Sequence, residues 1–98
     1  MTTTWKPHEV SGELTEAKRN KLPDSAFAFP SKRKEPLTDA SHVRNALARF
    51  DQVEDVTEAE RGQAFANITA AAKYYDVEVA EDNWKQLGDR PHTKNPAQ

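Results

Sequence analysis

The stretch DASHVRNALARF, residues 39–50, followed after a short acidic connection by TEAERGQAFANITAAAKYY, residues 57–75, decides the fold. In the first, Val43, Ala46, Leu47 and Phe50 fall at i, i+3, i+4 and i+7, the spacing that lines one face of an α-helix. Asp39 is a good N-cap, because its carboxylate accepts from backbone N–H groups that the first turn leaves unpaired. The opposite face carries His42, Arg44, Asn45 and Arg49. In the second stretch, Thr57 and Glu60 have the capping-box spacing, each side chain satisfying the other's backbone N–H. Phe65, Ile68, Ala72 and Tyr75 then share a face. Gly62 costs about 1 kcal/mol against alanine in a helix interior, and the alanine-rich run around it carries that cost. Helices are therefore expected over 39–50 and 58–75. The seven residues between them predict an antiparallel pair, burying Val43, Leu47 and Phe50 against Phe65, Ile68 and Tyr75.

Working outward, residues 15–21 predict a short helix, stopped because Leu22 precedes Pro23 and is biased away from the α region. Leu22-Pro23-Asp24-Ser25 reads as a turn. Phe27 and Phe29 fall at period two, so both rings point to one side of an extended segment. Ser31 to Lys34 is a polar connection and Glu35-Pro36-Leu37 a possible return strand, giving a minor hairpin near 26–37 that its prolines restrict to edge pairing. Downstream, Val77 and Val79 alternate with Glu78, and a last helix over 81–87 presents Trp84 and Leu87 ahead of Gly88 as C-cap. Residues 1–13 show no period, and the tail from 89 is polar with Pro91 and Pro96. Both termini are expected to be disordered. The fold class expected is a mainly α domain over 14–88, with disordered segments at 1–13 and 89–98.

Composition excludes several classes of function. With 98 residues and no cysteine, disulfides, thiolate metal sites and cysteine nucleophiles are ruled out, and the core must hold by packing. Apolar residues are 36% of the chain, below the usual 45 to 50% or so, which fits a small core. The opening Met1-Thr2-Thr3-Thr4-Trp5 lacks the basic and apolar regions of a signal peptide, and no apolar run approaches the roughly 20 residues that span a bilayer. A cytoplasmic protein with no membrane partner is the expectation. The formal charge of −2 hides an asymmetry: residues 15–50 carry a net +4, residues 51–98 a net −5 and the first fourteen −1. Such halves either attract an anionic partner or neutralise each other on folding, and the second is the ordinary outcome.

No chemistry-bearing motif emerges, and no cofactor, metal or catalytic residue is assigned. His8, His42 and His92 are too scattered for a metal-ligand set. Asp39, Ser41 and His42 superficially match a hydrolytic triad, but neighbours on one helical turn splay around the axis rather than converge. Glycines at 12, 62 and 88 make no phosphate loop. Lys32-Arg33-Lys34 is the most concentrated basic feature and, with Arg44 and Arg49, offers a surface for phosphates. A helix-turn-helix reading fails because residues 58–75 open on Glu58 and Glu60, the wrong charge to push toward bases.

LPDSAFAFP at 22–30, Lys32-Arg33-Lys34, and the helix of pattern DxxHxRNALARF at 39–50 together resemble a family of small bacterial and tailed-phage domains of unknown function, over roughly residues 14–79. Members usually carry a glycine after the second helix, where this chain has Asp76. The resemblance implies a compact non-enzymatic module, sometimes attached to phage structural or processing proteins, and supplies no active site. Two readings follow. The leading one is a non-catalytic module that binds another protein through the 39–50 helix and the Phe27/Phe29 segment. The alternative is a nucleic-acid-binding accessory protein using Lys32, Arg33, Lys34, Arg44 and Arg49. Lys32, Arg33, Lys34, His42, Arg44, Asn45 and Arg49 together form the expected binding surface.

Overall fold

The computed structural model describes residues 3–81 and Trp84. Its elements run in the order α1 (Glu16–Lys21), a 3-10 turn (Asp24–Ala26), β1 (Phe27–Phe29), β2 (Lys34–Pro36), α2 (Ala40–Arg49), a second 3-10 turn (Phe50–Gln52) and α3 (Glu58–Tyr74). Each helix starts where its cap dictates. The Thr15 hydroxyl accepts from Lys18 N at 3.2 Å, and Asp39 Oδ1 accepts from His42 N at 2.8 Å. At α3 the capping box is complete, Glu60 N donating to Thr57 Oγ1 at 3.1 Å and Thr57 N to Glu60 Oε1 at 2.8 Å. The far end of α3 closes as a Schellman motif. Val77 N donates to Ala72 O at 2.7 Å and Asp76 N to Lys73 O at 3.4 Å, with Asp76 in the left-handed region at φ 61°.

β1 and β2 pair antiparallel, Phe27 opposite Pro36 and Phe29 opposite Lys34. Pro30 sets the reversal, since its fixed φ suits the second position of a turn, and Phe29 O accepts from Lys32 N at 3.2 Å. Pro36 and the positive φ of Glu35, 57°, blunt the outer edge of β2 against further strands.

The expectation of a mainly α domain is corrected by this hairpin. With the 3-10 turns included, helix makes up about half of the described residues, and the two-stranded sheet is the centre of the packing rather than an accessory. All three β1 residues are buried, and α3 packs more extensively on β1 than on α2. Ala28 is the reason. Its small side chain between two phenylalanines lets α3 come close, and Asn67 Nδ2 donates to Ala28 O at 2.9 Å. The seam between the long helices does form, with Val43, Ala46, Phe50, Phe65 and Ile68 buried, while Leu47 and Tyr75 are only partly covered. Phe50 stacks against Phe29 at 6.0 Å and edge-on to Phe65 at 6.4 Å between centroids, so strand and both long helices share one core.

The expected disorder of the N-terminus is corrected as well. From Thr3 the chain forms a strap across α3 and the hairpin, with Trp5 only 7% exposed. Asn67 Oδ1, on a side chain with no solvent exposure, accepts from Thr4 N at 2.8 Å and Trp5 N at 3.2 Å, and from Thr3 Oγ1 at 2.7 Å. Further along, Lys6 N donates to Ser25 O, Val10 N to Thr38 O and Gly12 N to Asp39 Oδ2. Three apolar residues without a helical or strand period gave no sign of this, because the strap is held by backbone hydrogen bonds and one indole. Of the helix expected over 81–87, only Glu81 and Trp84 are described. Trp84 is helical and its ring lies 6.3 Å from Phe50. The tail expected over 89–98 lies outside the described residues.

Candidate binding groove

The residues expected on a binding surface divide into two sets. Lys32 and Arg33 sit in the hairpin turn and are committed to internal contacts. Lys32 Nζ donates to Asp55 O at 2.5 Å. Arg33 pairs with Asp24 at 2.8 Å and donates to Arg19 O at 2.9 Å, while Arg19 returns a bond to Arg33 O at 2.7 Å. Both guanidinium groups flank the Phe27 ring, at 5.5 and 4.6 Å from its centroid. Each thereby satisfies a backbone carbonyl of the other, and the left-handed Arg33, φ 52°, is held in place. Phe27 and Phe29, expected at the interface, are buried and are corrected to core residues.

His42, Asn45 and Arg49 do come together. They form one wall of a groove of about 690 Å³ between α2 and the chain opposite, where Gly12, Glu13 and Leu14 of the strap, Arg19 of α1 and Glu35 and Pro36 of β2 complete the lining. A second hollow of about 430 Å³ adjoins it and shares Arg19, Glu35, Pro36 and Arg49, adding Lys34 and the Gln52–Glu54 loop. Arg44 stands apart on the exposed face of α2 and lines neither.

Local chemistry fixes the groove's two ends. At the α2 N-terminus, burial pushes the Asp39 carboxyl up, but hydrogen bonds from the His42 backbone and ring and from Gly12 outweigh it and hold the group below its ordinary value. His42 Nδ1 donates to Asp39 Oδ1 at 2.7 Å, so the apparent triad is a cap with an oriented ring, and Ser41 is exposed. At the other end Lys34 Nζ donates to Glu54 O at 2.6 Å. Between them lies Glu35, whose carboxyl is pushed up by burial against the pull of Arg49, Arg19, His42 and Lys34. No hydrogen bond or ion pair among the described residues joins that carboxylate to its cationic neighbours, and Arg49 likewise makes none.

Sequence reasoning passed over Arg19 and Glu35, which lie at the centre of the groove, because nothing in a six-residue helix or a three-residue strand marks a polar side chain as facing a cavity. Among the described residues, no group of three or more His, Asp or Glu is placed to hold a metal ion, and no helix is long and apolar enough to cross a membrane.

Fold and groove define a small mixed helix-and-hairpin domain with a charged cleft along its first long helix. The chain belongs to a family of unknown function (DUF6582), whose pattern matches residues 9–82. No curated protein and no solved structure matches it.

Proposed function

We propose that this protein is a non-catalytic interaction module, acting in the cytoplasm, that receives a segment of a partner protein in the groove along α2. The observation that carries the reading is Arg49. It lines both hollows of a cleft walled by five separate parts of the chain, and its side chain makes no hydrogen bond or ion pair among the described residues, its electrostatic neighbour being Glu35. Lys32 and Arg33 spend their charges on internal bonds, whereas Arg49 combines an uncommitted guanidinium with a place inside the cleft. Resemblance to bacterial and tailed-phage domains supports a partner among the structural or processing proteins that such domains accompany.

The nucleic-acid reading has less support, since two of its five basic residues, Lys32 and Lys34, are engaged by carbonyls of the acidic loop, and a third by Asp24. Affinity capture from the native host, identified by mass spectrometry and repeated with the Arg44→Ala/Arg49→Ala double variant, tests the proposal. A partner retained by the wild type and lost with the variant is expected. Binding to generic duplex or single-stranded DNA that falls steeply between low and moderate salt would replace this reading with the alternative.

A further inference from the structure

We infer that the middle of the groove is a carboxylate-recognition site, in which a single Asp or Glu side chain of the partner segment is gripped by Arg49 and Arg19 above Pro36. The inference rests on the interaction-module reading and specifies the chemistry of what enters the cleft. The chain as a whole carries −2, yet the point where the two hollows meet is cationic. Arg19 and Arg49 lie there against the single carboxylate of Glu35, with Lys34 beyond them in the second hollow. A guanidinium offers a planar fork of N–H donors that matches a carboxylate with two parallel bonds, and such charge-assisted pairs are roughly twice as strong as neutral ones. Arg49 has its whole fork uncommitted. Arg19 spends one nitrogen on Arg33 O, which anchors it and leaves the rest of the fork available.

Glu35 offsets only part of this centre's positive charge and forms no closed pair with it. Burial works against its ionised form, no ion pair ties it to either arginine, and β2 pairing with its left-handed backbone fixes it beside Pro36. A carboxylate arriving from a partner competes with a neighbour that has not closed onto the cations. The groove's ends decide between a peptide and a nucleic acid. Glu13 stands at one end and Glu54 at the other, so an evenly charged polyanion would meet repulsion on both sides of the cationic centre. One acidic residue between neutral or basic neighbours fits the alternation.

Selection from a displayed library of linear random peptides on the immobilised full chain, followed by anisotropy titration of the enriched peptides, tests this. Enriched sequences are expected to share one Asp or Glu, and replacing it by Asn or Gln should abolish binding. Arg49→Gln, an exposed position that leaves the core untouched, should weaken binding at least about tenfold. Glu35→Gln removes the competing negative charge and should tighten it about two- to fivefold. Opposite signs, with Glu35→Gln weakening and Arg49→Gln tightening, would show a cation-binding cleft and overturn the inference. So would groove-dependent peptides that lack an acidic residue, although these would leave the interaction-module reading standing. Displacement of the peptides by a single-stranded oligonucleotide of higher affinity overturns both, as does a selection that enriches nothing dependent on the groove.

Discussion

Replacing Asp76 by glycine should stabilise the domain, although the substitution removes a side chain and gains no contact. Asp76 occupies the C′ position of the Schellman motif that ends α3, with φ 61°, where its Cβ crowds the following carbonyl. For an ordinary L-residue that conformation costs about 1 to 2 kcal/mol, and Asp suffers somewhat less. The exposed carboxylate also faces the negative end of the helix dipole, an unfavourable placement worth about 0.3 to 1 kcal/mol. Against both stands the freedom glycine gives the unfolded chain, about 0.5 to 1 kcal/mol. The balance favours Asp76→Gly by roughly half a kcal/mol, which in a domain of this size raises the melting temperature by about 2 to 4 °C. Two controls separate the contributions. Asp76→Asn keeps the tolerance of the left-handed region and loses the charge, so it should gain only a few tenths of a kcal/mol or so. Asp76→Ala also loses the charge but keeps the strain without a polar side chain to relieve it, so it should fall about 0.5 to 1 kcal/mol below Asp76→Asn. Urea midpoints in one buffer should therefore rank Gly, then Asn, then Ala. A glycine variant less stable than the wild type, or an alanine variant as stable as the glycine, would refute the motif.

Phe50→Ala should destabilise by roughly 3 to 5 kcal/mol, since the ring is 1% exposed and packs on Phe29 and Phe65; a loss under about 1 kcal/mol in equilibrium unfolding would mean the core is centred elsewhere. Asn67→Ala should cost roughly 2 to 3 kcal/mol by leaving Ala28 O and the strap's N–H groups without their partner. Amide exchange should then speed up over residues 3–12 before it does in α3, and uniform protection of the strap would argue that Asn67 does not hold it. Asp39 and Glu35 should give the pH dependence opposite signs. Because its folded pKa is depressed, Asp39 stabilises above its ordinary value of 3.8 and loses that contribution as pH falls through the folded value. The wild type's advantage over Asp39→Asn should therefore shrink below about pH 4. Glu35, raised above 4.5, costs stability at neutral pH, so Glu35→Gln should melt higher at pH 7 and lose that gain as the wild-type carboxyl protonates. Melting curves across pH check both, and parallel shifts in one direction would contradict them.

What was legible in the sequence was local and periodic. Asp39 and the Thr57/Glu60 box set two helix starts to the residue, because a cap is a contact across three or four positions. The glycine that the resembled family usually carries at the position of Asp76 agrees with the left-handed φ found there. The strap and the centrality of the hairpin were not legible, because both depend on contacts across 19 to 64 residues between short, weakly patterned segments. One signal was present and unread. Ala64, Phe65, Ile68, Ala71 and Ala72 form the buried stripe of α3, and Asn67 falls within it, three residues after Ala64 and four before Ala71. A polar amide on an apolar stripe must find partners when buried, and here it joins strap, hairpin and helix in one network. At the groove, the sequence marked one wall, His42, Asn45 and Arg49. The facing wall is supplied by α1 and β2, whose placement follows from the tertiary fold.

Part of the basic half is engaged by the acidic half inside the molecule, and the manner of it is specific. Lys32 and Lys34 reach not the carboxylates of the acidic stretch but the backbone carbonyls of Asp55 and Glu54. Arg61, from α3, takes those of Phe50 and Val53 at 2.8 and 2.7 Å. Four carbonyls of the α2–α3 connection are thus satisfied by three cations, which is how a loop with Asp55 at φ 63° is held without regular structure of its own. The carboxylates at Glu54 and Asp55 stay exposed and lower the potential along that edge. If the basic turn existed to bind a polyanion, its lysines would have to leave those carbonyls and approach a surface already carrying negative charge. Arg49 avoids the first obstacle, since it gives up no internal hydrogen bond on engaging a ligand. The division of labour among the cations therefore follows from which carbonyls the fold leaves unpaired, and the groove inherits the guanidinium that the loop does not need.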